Sequence, residues 1–128
     1  MMTFKFSKRS LNNLAGVHKD LQTVIREALS QTDIDFVVLE GLRDAERQKK
    51  LKAAGASTTL RSRHLTGHAV DVGAWVAGTI RWNYELYEQL AKTVKQAAKD
   101  CDVPIEWGGD WKSFKDGGHF QLPRKYYP

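Results

Sequence analysis

The sequence has no uninterrupted apolar run near the roughly 20 residues that a membrane-spanning helix requires. Its opening stretch, MMTFKFSKRSLNNLAG, also lacks the apolar centre of a secretory signal. The protein is therefore expected to be made in the cytoplasm and to stay there unless another agent releases it. One cysteine, Cys101, excludes an internal disulfide and a paired-cysteine zinc finger. Because Cys101 falls at the end of a helical pattern, a half-buried structural thiol is expected there. Internal repeats, linkers and low-complexity stretches are absent, and 128 residues supply one core.

What is present is an ordinary globular balance of 41% hydrophobic and 27% charged residues. A net charge of +5 and a pI near 9.4 imply attraction to polyanions. The basic residues are scattered, with short clusters such as Lys49, Lys50 and Lys52, and no RNA-binding aromatic signature accompanies them. A nucleic-acid partner is not expected.

From Ser10, a plausible N-cap, the residues Leu11, Leu14, Val17, Leu21, Val24, Ile25 and Leu29 recur at helical intervals and predict one first helix. His18 falls inside it as a partly buried helix residue. The β-branched segment from Asp35 to Glu40 reads as a buried strand with Gly41-Leu42-Arg43 as its exit. Asp44 caps a largely solvent-facing helix that runs to Gly55, and residues 56–66 are polar and irregular. Ala69-Val70-Asp71-Val72 alternates as a strand does. Further strands are expected over 78–82, 105–107 and 119–122, with a helix capped by Asn83 and ending near Cys101. Helices early and strands late favour an α+β fold with an antiparallel sheet.

The informative residues are Ser62-Arg63-His64-Leu65-Thr66-Gly67-His68-Ala69-Val70-Asp71, set against Asp116-Gly117-Gly118-His119. A catalytic zinc takes three N or O ligands and keeps a fourth position for water. His64, Asp71 and His119 supply such a set, with Gly67 permitting the turn between the first two. The spacing is not a compact signature such as H-E-x-x-H, and ordinary surface or capping roles for these residues remain open. His68 rivals His64 as a ligand, although its parity opposes that of Asp71. Asp116, three residues before His119, is the candidate general base, with Glu106 and Asp110 as alternatives. Arg43 suits a substrate carboxylate or an ordinary salt bridge. Trp75 and Trp82 are expected in the core, while Trp111 is open between core and cleft.

At these positions the sequence resembles the M15 family of zinc peptidases. The pattern S-x-H-x-x-G-x-A-x-D is met by Ser62, His64, Gly67, Ala69 and Asp71, and D-x-x-H by Asp116 and His119. The likeness extends over Gly41-Leu42-Arg43, Gln48 and Glu106-Trp107-Gly108-Gly109-Asp110-Trp111, and so spans Phe36 to Leu122. It implies Zn2+ on His64, Asp71 and His119, catalysis by Asp116, and substrate contacts from Arg43, Gln48 and Ser62. It also implies a small single α+β domain over 1–128, of the D-Ala-D-Ala carboxypeptidase/hedgehog-like kind, whose antiparallel sheet carries the zinc with flanking helices. No separate wall-binding domain is expected.

Some members of the family use glutamate where this chain has Asp116. Aspartate there, Trp-Gly-Gly before the last ligand and the lack of a signal are features of the bacteriophage L-alanyl-D-glutamate endopeptidase branch. The resemblance thus implies a monomeric endolysin acting on peptidoglycan stem peptides. It would wait in the host cytoplasm and reach the periplasmic wall after membrane permeabilisation. A D-alanyl-D-alanine carboxypeptidase with the same site, or an inactive zinc-containing wall-binding module, is the alternative.

Overall fold

The computed structural model describes residues 4–57, 62–113 and 115–128. These residues form helices α1 (Lys8–Leu14), α2 (Lys19–Gln31), α3 (Ala45–Ala53) and α4 (Tyr84–Asp100), and strands β1 (Phe36–Glu40), β2 (Ala69–Val76), β3 (Thr79–Arg81), β4 (Glu106–Trp107) and β5 (His119–Gln121). The strands build one antiparallel sheet in the order β1-β2-β5-β4, and β3 pairs with the far end of β2. This is the expected α+β architecture.

Strand alternation divides the sheet into two faces. Phe36, Val38, Val70, Val72, Ala74 and Phe120 are buried and join a single apolar core with Leu21, Val24 and Ile25 of α2 and Leu90 and Val94 of α4. Each large side chain buried in this way contributes about 1.5–3 kcal/mol. Asp71, Gly73 and Trp75 fall on the opposite parity, away from that core. Direct register pairs place His119 opposite Asp71, and Glu106 opposite Gln121. The face opposite the α2–α4 core therefore receives the polar residues.

That division corrects one expectation. Trp75 and Trp82 are not core residues, since they are 39% and 64% exposed. Trp75 shares the parity of Asp71, and Trp82 lies beyond β3 with one ring face stacked on Tyr87 at 5.7 Å.

The expected first helix is two helices. Ser7, not Ser10, caps α1, and the chain turns at 15–17 before His18 caps α2 by accepting the Asp20 amide on Nδ1. The apolar rhythm continues across this break because both segments cover the same core. The break also leaves the His18 amide free to donate to the Gly67 carbonyl at 2.8 Å. Gly67 has φ +75, and a Cβ there would lie 2.7 Å from the Gly16 carbonyl oxygen. The turn that carries His64 is thereby seated on the junction between α1 and α2.

Strand β1 is an edge of the sheet, and α1 covers it. Ser10 Oγ accepts the Val38 amide at 3.0 Å, and Asn13 donates to the carbonyls of Val38 and Leu39. Covering an open edge satisfies its backbone groups and blocks pairing with other chains. Ser10 is 1% exposed, so Ser10→Ala leaves a buried amide without its acceptor. A loss of about 1–3 kcal/mol is expected in urea unfolding. A loss below a few tenths would show that the edge is not held in this way.

Candidate metal centre and catalytic cleft

Three elements bring the donors together. His64 sits in the 3-10 turn Arg63–Thr66, capped by Ser62 Oγ, which accepts the His64 amide. Asp71 and His119 face each other across the β2–β5 ladder. One ligand atom from each of the three lies within 4.8 Å of the others, the one such cluster of at least three His, Cys, Asp or Glu among the described residues.

The hydrogen bonds fix which ring nitrogens are available. His64 Nδ1 lies 2.8 Å from the Gly41 carbonyl oxygen, which can only accept, so Nδ1 carries the proton. Nε2 is then a bare lone pair. It is buried without a hydrogen-bond partner and lies 3.2 Å from Asp71 Oδ2. His119 Nε2 lies 2.8 Å from Gln121 Oε1, and its Nδ1 lies 3.0 Å from Asp71 Oδ1. Two lone pairs and a carboxylate converge, an arrangement that a divalent cation satisfies.

The charges shift accordingly. Burial pushes the Asp71 carboxyl up, but in the metal-free protein, where protons on the rings of His119 and His64 take the place of a cation, their hydrogen bonds and charges overcome this and hold it well below the usual range. For His119, burial opposes protonation while the Asp71 hydrogen bond and charge outweigh it, so its pKa is raised. Burial raises the Asp116 carboxyl, and the nearby Asp71 charge adds to the rise.

A cleft of about 700 Å³ opens over this cluster, lined in part by Arg43, Ser62, Trp111, Asp116, Gln121 and Arg124. Asp116 reaches it because the segment ahead of His119 is pinned from below. The Asp116 amide donates to the Gly108 carbonyl at 3.1 Å, and Trp107 Nε1 donates to the Gly117 carbonyl at 2.7 Å. A Cβ on Gly108 would lie 2.4 Å from the Asp116 carbonyl oxygen, so glycine is required for that approach. The Trp107-Gly108-Gly109 and Asp116-x-x-His119 motifs are thus one interlocked unit.

The rival bases are placed elsewhere. Asp110 pairs with Lys95 at 2.7 Å, and Glu106 accepts from Gln121 at 3.1 Å. Of the three carboxylates, Asp116 lines the cleft. His68 is not in the cluster; its ring lies beside those of His18 and Tyr127. Trp111 belongs to the cleft, its ring 5.0 Å from that of His119. Arg43 lines the cleft, 8% exposed, and donates to Gln48 Oε1, Glu40 Oε1 and Asp71 Oδ2. Gln48 is 1% exposed behind Arg43 and is absent from the lining. Residues 58–61 of the expected irregular loop lie outside the described residues.

Glu40 and Gln121 escaped sequence reasoning. Gln121 carried a signal, since it is two residues beyond His119 on a strand and so on the same face. Glu40 carried none, because its partnership with Asp71 depends on the β1–β2 register and a bulge after Val38.

An antiparallel sheet presenting two imidazoles, one carboxylate and a half-buried acid beside them is an arrangement that a metal-dependent hydrolase can use. A family model described as phage L-alanyl-D-glutamate peptidase matches residues 2–122, and the chain belongs to that family. The L-alanyl-D-glutamate peptidase of Escherichia phage T5 is 33% identical over 136 residues, covering 94% of this chain and 99% of the phage protein. The crystal structure of the Serratia marcescens L-Ala D-Glu endopeptidase ChiX superposes with a TM-score of 0.92 at 52% identity, over 98% of this chain and 95% of that one. The D,D-dipeptidase VanXYg shares the fold, with a TM-score of 0.54 at 19% identity, over 83% of this chain and 50% of that one.

The pKa directions give a pH dependence for the metal-free protein. His119 and Asp116 both bind protons more tightly folded than unfolded, so their contribution is present at low pH and lost as pH rises through their raised values. Asp71 acts oppositely, losing its contribution only as pH falls through its depressed value, well into acid. In chelator, the thermal midpoint is expected to fall as pH rises from the ordinary carboxylate range through the raised His119 value, with a shallower fall for Asp116→Asn. Parallel curves for the two proteins would contradict the raised Asp116.

Proposed function

We propose that residues 1–128 form one catalytic domain, a monomeric zinc peptidase that hydrolyses the L-alanyl-D-glutamate bond of peptidoglycan stem peptides and so lyses the bacterial wall. The observation that carries the reading is the convergence of the His64 and His119 lone pairs on Asp71, with Asp116 beside them in one cleft. Family membership and the likeness to named L-alanyl-D-glutamate peptidases support the choice of bond. Zinc held there supplies a Lewis acid that polarises the scissile carbonyl and acidifies water.

The chain's own groups do the rest. Asp116 takes a proton from the attacking water and returns it to the departing amine, and a carboxyl raised by burial suits both steps. Arg43 offers its guanidinium to a stem-peptide carboxylate, with Ser62 at the same cleft wall. Gln48 serves by holding Arg43, to which it is bonded at 2.8 Å, rather than by touching substrate. The net charge of +5 favours approach to anionic wall material. No helix among the described residues is long and apolar enough to cross a membrane. In this reading the protein is synthesised in the host cytoplasm and acts on periplasmic peptidoglycan after membrane permeabilisation.

Metal analysis and lysis of permeabilised cells test this together. His64→Ala, Asp71→Ala and His119→Ala are expected to lose zinc and lysis. Asp116→Ala is expected to keep zinc and lose about 10²- to 10⁴-fold in turnover. An Asp116→Ala protein with full activity would refute the assignment of the base. Mass spectrometry of the digest should show new L-alanine carboxyl ends; release of terminal D-alanine would instead make the protein a carboxypeptidase.

A further inference from the structure

His119 has a choice that His64 does not. The proton of His64 is fixed by a main-chain carbonyl, whereas the proton of His119 is fixed by the side chain of Gln121. An amide presents either an oxygen or an NH2 to a ring nitrogen, and the two have opposite consequences. Its oxygen requires the proton on Nε2 and leaves Nδ1 as a lone pair facing Asp71. Its NH2 would require the reverse, with a proton on Nδ1 aimed at the site that a cation needs.

What decides between them lies one strand away. Gln121 Nε2 donates to Glu106 Oε1 at 3.1 Å, and a carboxylate oxygen accepts. Glu106 and Gln121 are direct register partners on β4 and β5, so the contact is set by the sheet. Gln121 and His119, two apart on β5, share the face that carries Asp71.

We propose that Glu106 and Gln121 are a positioning relay: Glu106 orients the Gln121 amide, and the amide holds His119 in the Nε2–H form that leaves Nδ1 open to metal. Neither residue touches the metal or the reacting bond in this role. The inference rests on the metal-site reading and adds to it the reason that His119 is ready to bind. It also gives Glu106 a task other than catalysis.

The test is zinc affinity by chelator competition, joined to the solvent exchange of the His119 Nε2–H proton in zinc-loaded, 15N-histidine-labelled protein. Wild type is expected to show His119 protonated on Nε2. Gln121→Leu should lower zinc affinity about 10- to 100-fold and leave that proton exchanging freely. Gln121→Glu, which keeps an acceptor, should retain both the Nε2–H signal and most of the affinity. Glu106→Leu should cause a smaller loss in the same direction, and its exposed position makes it a usable variant even where Gln121→Leu folds poorly. Wild-type affinity and a protected Nε2–H signal in both leucine variants would overturn the relay, as would zinc bound through Nε2 with the proton on Nδ1 in wild type. His64→Ala and His119→Ala separate the two failures: if neither weakens zinc binding, the metal site itself is wrong.

Discussion

Asp71 sits where two imidazole lone pairs and one guanidinium meet. Its Oδ1 lies 3.0 Å from His119 Nδ1, and its Oδ2 lies 3.2 Å from His64 Nε2 and 3.4 Å from Arg43. Oxygen and nitrogen lone pairs at such distances repel unless a proton or a cation lies among them. The outward N–H of each ring is already directed to another acceptor, the Gly41 carbonyl or the Gln121 amide. The unmet demand for positive charge at this point organises the rest of the site. Arg43 answers part of it, held by Glu40 at 2.6 Å and by Gln48 at 2.8 Å. Burial raises the Glu40 carboxyl, but the hydrogen bonds of Arg43 and Arg47 outweigh it and keep it below its ordinary value.

The scaffold exists to make that convergence rigid. Core packing is confined to the helix side of the sheet, so the opposite side is free to carry polar groups on strands whose register is fixed. The His64 turn is clamped twice, by the His18 amide on the Gly67 carbonyl and by the Arg43 amide on the His64 carbonyl. Asp116 is clamped by the Trp107-Gly108 segment beneath it. Sites held within fractions of an ångström by such supports are the ones that catalyse, because small displacements cost large factors in rate.

Much of this was legible in the sequence, and the exceptions have physical causes. Short-range features were visible: the Asp44 cap, the β-branched strand before Gly41, the alternation through Asp71, and the two motifs whose residues do meet in one cleft. The break at 15–17 was not, because apolar periodicity reports which face is buried and not whether the backbone is continuous. Trp75 was misplaced because side-chain size suggests burial while strand parity decides it, and Trp82 because it lies beyond the end of β3. The place of Glu40 beside Asp71 depends on pairing between segments far apart in the chain. Register of that kind is settled by the whole sheet.

The most direct test of the central constraint is anomalous diffraction at the zinc edge from crystals grown with stoichiometric zinc. One strong peak is expected, bonded to His64 Nε2, a carboxylate oxygen of Asp71 and His119 Nδ1. No peak there, or zinc bound elsewhere with these three groups bridged by protons, would contradict a cation as the answer to the charge that Asp71 gathers.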